Sequence, residues 1–517
     1  MRILESYVCG GWRRGEGRLS DLHDPTTGAV VAQAGTGGID MQAVLRHARE
    51  VGGPRLREMT YAQRAAMLGA AAKAIHARRE ELIDLAVLNG GNTRKDAKFD
   101  LDGATGTLMA YAQHGATLGE TRVVLDGEGT QLGRTPRFWG EHAWLPREGV
   151  AVHINAFNFP AWGMAEKAAC AWLAGMPVVT KPATATALVT EEIVRILVAA
   201  EVLPEGALQI LCGSAGDLLD HMGSQDVLAF TGSADTAFKL RGNENLLRRS
   251  VRVNVEADSL NSAVLGPDVA PGSETWNLFL RDVMTEMTQK AGQKCTAVRR
   301  VFVPEALADA VQAELVRRLA EIRVGNPSLR EVTVSPLATA AQKRDMLAGV
   351  ERLAAECDIV FGSTDTPEVV DADAAAGYFC GPVLLRARDA AASRVIHEHE
   401  VFGPVATLVV TPPDAAVMAE LVRRGDGSLV ASVYSDDADF VRDMVLAIGA
   451  WHGRIYIGSA KVADQTLGSG TVLPASVHGG PGRAGGGEEL GLDRGMRLYQ
   501  QRVALQGDRG LLKRLFA

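Results

Sequence analysis

Cys295 is the residue whose type and surroundings most clearly predict chemistry. It follows the turn Gly292–Lys294, at the end of an amphipathic run over residues 276–287. Backbone N–H groups left unpaired by such a turn would favour the thiolate form of the sulfur. A thiolate attacks carbonyl carbon, so the position predicts nucleophilic catalysis. The alternative is an ordinary buried cysteine, because free cysteine is among the most buried residue types.

The elements that would place polar side chains near a nucleophile begin at Val150. Strands and helices alternate from there, which predicts a parallel sheet covered on both faces. The predicted strands are Val150–Asn155, Pro177–Lys181, Ala207–Cys212, Val227–Thr231 and Val251–Glu256. Ligands of such sheets bind at the carboxyl ends of the strands. The residues of interest at those ends are Asn158, Lys181, Gly232, Ser233 and Glu256.

The remaining segments surround this pattern in a simple order. Residues 1–40 contain short strands, and the capping box Thr60–Gln63 opens a long helix that extends to about Leu88. Residues 121–148 alternate apolar and polar positions and hold two prolines, which predicts a projecting hairpin. A second α/β pattern runs from Ser262 to about Ile457, and the tail from Gly479 is glycine-rich. The fold class is therefore α/β.

Composition argues against several classes of function. The 517 residues carry a net charge of -8 with a pI near 5.8, so we expect neither nucleic acid nor membrane as a main partner. The six cysteines are scattered and form no CxxC pair, so we expect reduced thiols and no metal site. The N-terminal residues lack the apolar core of a signal peptide, and we expect a cytoplasmic protein.

Two local motifs are better explained as structural features. Gly480–Gly485 matches the dinucleotide fingerprint GxGxxG, but it follows no convincing strand and opens no helix, so we interpret it as a flexible turn. His397–Glu400 could suggest a metal site. No other histidine or cysteine clusters with it in the sequence, and a solvated loop is the better interpretation.

Six motifs occur in an order that resembles the aldehyde dehydrogenase superfamily. They are Asn155–Pro160, Lys181–Ala183, Phe230–Ser233, Glu256, Gly292–Cys295 and Glu400–Val405. The resemblance extends from about Tyr7 to Gly491. Residues 155–160 and 289–300 are most similar to family members of bacterial aerobic phenylacetate and benzoate degradation. Those enzymes act on a coenzyme A-linked semialdehyde, which the resemblance implies as the substrate class.

The resemblance implies three catalytic roles. Cys295 would attack the aldehyde carbon, and the Asn158 side chain with the Cys295 backbone N–H would stabilise the oxyanion. Glu256 would activate the water that hydrolyses the thioester. Helix capping is the alternative role for Asn158, and a salt bridge at a strand end is the alternative for Glu256. The family's two glycines and lysine after this glutamate are replaced by the segment 257–260, Ala-Asp-Ser-Leu.

The same resemblance implies a nicotinamide cofactor. Gly232 would let the backbone approach the pyrophosphate, and Ser233 would open a helix whose N-terminus suits phosphate charge. Lys181 would hold the adenosine ribose. Thr184 stands where NAD-preferring relatives often carry a glutamate; a neutral residue there favours NADP, with weaker use of NAD. The remaining residues implied for the cofactor are Glu400, Phe402 and Phe157.

We therefore predict a Rossmann-type cofactor-binding domain over residues 1–120 and 149–262. An α/β catalytic domain would cover 263–460. Residues 121–148 and 461–517 would form an oligomerisation hairpin and tail, in a homodimer or a dimer of dimers. The predicted function is NADP-dependent oxidation of an aldehyde to a carboxylic acid. Three alternatives remain: a general aldehyde dehydrogenase, a coenzyme A-acylating dehydrogenase, and an inactive scaffold of the same fold.

Overall fold

The computed structural model describes residues 2–516. Its strands are β1 Arg2–Ile3, β2 Glu5–Val8, β3 Gly11–Arg14, β4 Ser20–His23, β5 Val30–Ala34, β6 Val124–Leu125, β7 Thr130–Gln131, β8 Phe138–Pro146, β9 Ala151–Ile154, β10 Val178–Lys181, β11 Leu208–Ile210, β12 Val227–Thr231, β13 Arg252–Glu256, β14 Ser262–Leu265, β15 Arg300–Pro304, β16 Cys357–Phe361, β17 Val383–Ala387, β18 Val405–Thr411, β19 Ser428–Tyr434, β20 His452–Gly458, β21 Val477–Gly480, β22 Gly487–Leu490 and β23 Gln500–Asp508.

The α-helices between and around these strands are α1 Met41–His47, α2 Gly53–Glu58, α3 Tyr61–Ala77, α4 Arg79–Gly90, α5 Arg94–Leu118, α6 Trp162–Ala174, α7 Ala187–Ala199, α8 Ala234–Arg241, α9 Glu244–Arg248, α10 Glu274–Thr288, α11 Glu305–Leu319, α12 Ala340–Ala354, α13 Val395–Glu398, α14 Ala415–Arg423, α15 Ala438–Ile448, α16 Asp493–Met496 and α17 Arg509–Leu515. Among the residues described, none of these helices combines the length and the apolar character needed to cross a bilayer.

The first large sheet has seven strands in the order β13-β12-β9-β10-β11-β2-β3. The five strands from β13 to β11 are parallel, and β2 joins β11 antiparallel. Their side chains are almost entirely buried because helices cover both faces. The predicted strands from Val150 to Glu256 are thus confirmed to within a few residues, and their carboxyl ends share one edge of the sheet.

The second large sheet also has seven strands, in the order β16-β17-β18-β15-β14-β19-β20. All neighbours are parallel except β16, which pairs antiparallel with β17. Strand β14 begins six residues after Glu256, so one short connection leads from the first sheet to the second. This sheet corresponds to the second α/β pattern that the sequence predicts from Ser262 to Ile457.

A smaller sheet combines the predicted hairpin region with the end of the chain. Strand β8 pairs antiparallel with β23 over nine residue pairs, and β6 and β7 pair with the other edge of β8. The segment between β20 and β23 contains a separate antiparallel hairpin, β21–β22. That hairpin does not join the β8–β23 sheet. It packs instead beside β20 and β13, at the same end of the first sheet as Glu256.

The predicted helix after residue 60 is interrupted. Thr60 caps α3 and Gln63 completes the capping box, as the sequence predicts. The chain then leaves helical geometry at Arg78 before α4 begins, so the expected single helix is two. A left-handed Gly91 ends α4, which agrees with the stop signal read from the sequence.

Candidate active site

A strained turn presents Cys295 to the interior. Helix α10 ends at Thr288, and Lys290, Ala291 and Gly292 then follow with left-handed φ angles of 53°, 52° and 67°. A Cβ atom on Gly292 would lie 2.1 Å from the carbonyl oxygen of Gly403, so only glycine fits this close approach. The turn therefore fixes the position of the cysteine against the Glu400–Val405 segment.

Side chains on both sides of Cys295 hold its backbone in place. The buried Lys294 ammonium donates to Glu286 at 2.8 Å and to Gln289 at 2.9 Å. The Asn261 amide donates to the carbonyl oxygens of Cys295 at 2.7 Å and Ala297 at 2.9 Å. Because these contacts use side chains from α10 and the start of β14, the loop that carries the sulfur is well ordered.

Asn158, the predicted oxyanion donor, lines the same cavity as Cys295. Its Nδ2 donates to the Gln293 carbonyl oxygen at 3.0 Å, which orients the amide and leaves its second N–H for another acceptor. It does not cap helix α6. The N–H groups of Ala161 and Trp162 instead donate to the Asp100 carboxylate at 3.3 and 2.8 Å.

Glu256 ends strand β13 beside the sulfur and faces a histidine from the tail. The Glu256 carboxylate lies 3.1 Å from Nε2 of His478, and the same nitrogen lies 3.9 Å from Sγ of Cys295. The ligand-type atoms of the three residues all lie within 4.8 Å of one another. Glu256 thus lies next to Cys295 and also pairs with His478 at the end of its strand.

The charges of this group follow from burial and mutual attraction. Burial opposes ionisation of Glu256, but the charge and contact of His478, together with Lys167, lower the pKa of the carboxyl to about 2. Burial disfavours the imidazolium, yet nearby carboxylates, above all Glu256, raise the pKa of His478. Burial and the Glu256 charge raise the pKa of the Cys295 thiol well above its usual value. Burial and the Glu256 charge thus oppose the thiolate form that the turn is expected to favour.

A second buried ion pair supports the first. The Lys167 ammonium on α6 lies 3.2 Å from Glu166 and 3.0 Å from Glu489 of strand β22. Glu489 also accepts a hydrogen bond from Asn254 of β13 at 3.0 Å. Burial is the main cause that raises the pKa of Glu166, to about 7. The hairpin β21–β22 is thus bound to the first sheet by buried polar contacts.

A narrow, mainly apolar cavity of about 40 Å³ reaches Cys295 from one side. Phe99, Phe159 and Trp162 line it, and their rings pack edge to face at centroid distances of 5.3 to 6.2 Å. Asn158 and Glu256 also line this cavity. An aldehyde carbon that enters beside the rings would meet the sulfur, the amide and the carboxylate together.

A larger groove of about 500 Å³ reaches the same cysteine from the other side. Its walls include the carboxyl ends of β10, β12 and β13 and the α8 N-terminus. The residues predicted for the cofactor that line it are Phe157, Lys181, Gly232, Ser233, Glu400 and Phe402. Thr184, also predicted, does not line the groove; it begins a short 3-10 turn directly after the lining residue Ala183.

Local packing defines the walls of this groove. A Cβ atom on Gly232 would lie 2.5 Å from the Phe230 ring, so glycine keeps this wall open. The rings of Phe157 and Phe402 meet edge to face at 5.8 Å. Glu400 accepts from the Ser259 N–H at 3.0 Å and lies 3.4 Å from Arg299. Burial raises the pKa of Glu400 to about 7, although Arg299 opposes the shift.

The sequence similarity to known proteins extends over nearly the whole chain. The sequence profile described as "Aldehyde dehydrogenase family" matches residues 12–502. The chain belongs to the aldehyde dehydrogenase family. The resemblance inferred from six motifs and the aldehyde dehydrogenase-like α/β fold are therefore both confirmed. An aldehyde is accordingly the substrate class that the family indicates.

Three relatives show the range of similarity within the family. The chain is 46% identical to 3,4-dehydroadipyl-CoA semialdehyde dehydrogenase of Aromatoleum evansii over 92% of this chain and 93% of the relative. It is 28% identical to 4-trimethylaminobutyraldehyde dehydrogenase B of Danio rerio over 80% and 77% of the two chains. Its fold matches a crystal structure of a betaine aldehyde dehydrogenase point mutant from Staphylococcus aureus in complex with NAD+, with a TM-score of 0.84, 21% identity and 98% and 97% coverage.

Three residues of the site are not predicted from the sequence. Lys167 lies within a helix that reads as core, and His478 and Glu489 lie in the tail assigned to oligomerisation. His478 and Glu489 face each other as a register pair of the β21–β22 hairpin. Alternating polar residues around Gly480–Gly485 are the one signal that could have identified two paired strands.

The two motifs set aside also have defined places. Gly480–Gly485 contains the turn of the β21–β22 hairpin, as predicted. This turn packs closely against residues 426 and 427. The prediction that His397–Glu400 forms a solvated loop is wrong in part. His397 is buried and contacts Arg300 at 2.9 Å, because the guanidinium needs a buried acceptor.

Proposed function

We propose that this chain oxidises 3,4-didehydroadipyl-CoA semialdehyde to the corresponding carboxylic acid with NADP as the oxidant. The observation that carries the proposal is 46% identity, over 92% of the chain, to a relative named for that semialdehyde. The alternative within the same family is a general aldehyde dehydrogenase. The two differ in whether the coenzyme A portion of the substrate contributes to binding.

The catalytic roles follow from the positions around the sulfur. Cys295 attacks the aldehyde carbon as a thiolate, after its thiol proton has passed to solvent, and the oxyanion lies between the free N–H of Asn158 and the Cys295 backbone N–H. A nicotinamide cofactor, when bound in the groove, would accept the hydride that converts this adduct to a thioester. Glu256 lies close enough to the sulfur to activate water against the thioester carbon. The scaffold alternative is disfavoured because thiol, amide and carboxylate converge on one point.

One basic residue of the groove supports the choice of NADP. Lys181 lines it, and among the described residues its ammonium donates only to the Pro182 carbonyl oxygen, at 3.1 Å. It is therefore available to a phosphate on the adenosine ribose. Thr184 adds no opposing charge nearby, whereas a carboxylate at that position would repel the phosphate.

The shape of the substrate cavity supports a narrow acyl chain. Aromatic rings leave about 40 Å³ near the sulfur, which suits a linear semialdehyde and excludes a nucleotide. The bulky coenzyme A portion would therefore stay outside, at the mouth. Binding energy from this remote portion would orient the aldehyde for attack, which raises kcat/KM rather than tightening binding alone.

The hairpin region supports an oligomer, which is the second part of the proposal. Leu125, Leu132 and Phe138 of residues 121–148 are 41 to 47% exposed, on or beside the strands of the β8–β23 sheet. An apolar group of this kind is typical of a protein–protein contact. We propose that two chains pair through this sheet. Sedimentation velocity tests this pairing, and Phe138→Glu should shift the protein from dimer toward monomer.

One assay separates the candidate activities. The purified protein is given the coenzyme A-linked semialdehyde or a simple aldehyde of equal acyl length, each with NADP or NAD. Formation of reduced cofactor is followed with and without free coenzyme A. We expect the linked substrate with NADP to be used best, without a need for free coenzyme A. Equal use of the simple aldehyde would indicate a general aldehyde dehydrogenase, and dependence on free coenzyme A would indicate an acylating enzyme.

A further inference from the structure

His478 occupies a position that no role proposed above explains. It lies on β21, is 5% exposed, and lines the substrate cavity. Its Nε2 lies 3.1 Å from the Glu256 carboxylate and 3.9 Å from Sγ of Cys295. A histidine side chain within reach of both a nucleophile and a carboxylate is an arrangement suited to proton transfer.

The charged groups around this imidazole come from four elements. Those facing it are Glu256 on β13, Cys295 after α10, Glu166 and Lys167 on α6, and Glu489 on β22. Lys167 lies between Glu166 and Glu489 and pairs with both carboxylates. Glu256 is therefore the carboxylate with which His478 directly pairs.

This pairing creates a problem for Glu256 as a lone base. A carboxylate held against an imidazolium is a weak proton acceptor, because the cation stabilises its ionised form. Glu256 has that environment whenever His478 is protonated. It can accept a proton from water effectively only when the imidazole beside it is neutral, or when the imidazole takes the proton in its place.

We propose that His478 and Glu256 act as one general base in which the proton from water ends on the imidazole. With His478 neutral, water attacks the thioester carbon of acyl-Cys295, a C–O bond forms, and one O–H bond of the water breaks. The released proton moves through the Glu256 carboxylate to His478 Nε2. The tetrahedral adduct then expels the sulfur, the C–S bond breaks, and the imidazolium returns its proton to the thiolate. The acid product loses its own proton to solvent.

The inference deepens the proposed function and rests on its acyl-cysteine step, but it can be tested without aldehyde or cofactor. An activated ester such as p-nitrophenyl acetate acylates a reactive cysteine directly. Release of p-nitrophenolate in a burst then reports acylation, and the steady rate reports hydrolysis of acetyl-Cys295. If the wild type turns over this ester but oxidises no aldehyde, the proposed function fails while the test of His478 remains valid.

The decisive measurement is the pH dependence of that steady rate in wild type and His478→Gln. We expect the wild-type rate to fall with decreasing pH through a value above the ordinary histidine pKa of about 6.5, because protonated His478 blocks the base. In His478→Gln the plateau should fall on the order of 100-fold. Its acidic limb should move toward the ordinary carboxyl value of about 4.3, since Glu256 is then the remaining base.

A second variant distinguishes loss of the imidazole from loss of folding. In His478→Ala, added imidazole should restore hydrolysis in proportion to its neutral form. The control is His452→Gln, a buried histidine of β20 that contacts the Ile448 carbonyl oxygen at 2.8 Å and does not line the cavity. The pH dependence of the steady rate in this control should have the same acidic limb as in the wild type. An unchanged limb in His478→Gln, or no response to imidazole in His478→Ala, would overturn the proposal and leave His478 a structural partner of Glu256.

Discussion

The Asp258 carboxylate accepts a hydrogen bond from the Ala234 backbone N–H at 2.9 Å. It therefore occupies the N-terminus of α8, where the sequence predicts that cofactor phosphates bind. Asp258 lies in the segment that departs from the family pattern, and it lines the cofactor groove. A phosphate at this helix N-terminus would have to displace the carboxylate or lie beside a second negative charge, so we expect Asp258 to weaken cofactor binding.

We expect Asp258→Asn to bind NADPH more tightly. Removal of one negative charge near phosphates is worth about 1 kcal/mol at a solvated site, or roughly a fivefold lower Kd. The measurement is NADPH fluorescence titration in the absence of substrate. The matched control is Asp235→Asn, in the exposed first turn of the same helix and outside the groove. Equal or weaker binding by Asp258→Asn would show that the carboxylate does not oppose the cofactor.

Cys295→Ala should lose acyl-enzyme formation entirely while it retains cofactor affinity. The sulfur forms the covalent bond, and no other group in the cavity can replace it. Intact-protein mass spectrometry after incubation with substrate checks for the adduct. The control is Cys9→Ala, at an exposed cysteine remote from the cavity, which should label and turn over like wild type. Appreciable turnover by Cys295→Ala would exclude the cysteine as nucleophile.

Glu256→Gln should reduce one equivalent of cofactor in a burst and then stall as a thioester. Only hydrolysis requires the base, so acylation persists while the steady rate falls on the order of 100-fold or more. Stopped-flow absorbance of the reduced cofactor separates the two phases. Glu488→Gln, an exposed neighbour on β22, serves as the control. A variant without a burst would instead assign Glu256 to thiol deprotonation.

Thr184→Glu should move the cofactor preference from NADP toward NAD. The new carboxylate would repel a ribose phosphate by about 1–3 kcal/mol, which corresponds to roughly a ten- to hundredfold change in relative kcat/KM. Thr184→Gln provides a neutral side chain of similar size. Since Thr184 lies just outside the groove, a variant whose preference equals wild type would mean that the introduced carboxylate cannot reach the phosphate and that another residue sets cofactor choice.

The sequence predicts the first sheet well because its signals are local. Buried strands such as Val227–Thr231 and helix caps such as Ser233 depend on neighbouring residues, and motifs at strand ends then fall on one edge of the sheet by topology. Asn158, Glu256 and Cys295 meet at this edge, although Asn158 and Cys295 are far apart in sequence. The family resemblance adds their expected roles, which the positions alone do not supply.

The tail is less predictable because its partners are distant. His478 and Glu489 become part of the site only through the register of a glycine-rich hairpin and its contact with β13. The sequence assigns neither residue a role in the site; Glu489 only begins the segment at which the family resemblance ends. The protonation of Cys295 also depends on burial and on a carboxylate 39 positions away, which a local turn cannot reveal. Local sequence patterns thus predict the strands and helices. The charges around Cys295 depend on residues that only the folded chain brings together.

The hairpin that carries His478 has a consequence for synthesis of the protein. This histidine follows Cys295 by 183 positions, so a ribosome-bound chain already contains the nucleophile long before the residue that completes its surroundings. Until β21 and β22 dock, Glu256 has no imidazole partner and Lys167 lacks its contact with Glu489. The step expected to fail without these strands is hydrolysis of the acyl-cysteine, and not attack by Cys295. Completion of the last strands would therefore set the moment at which turnover, rather than acylation, becomes possible.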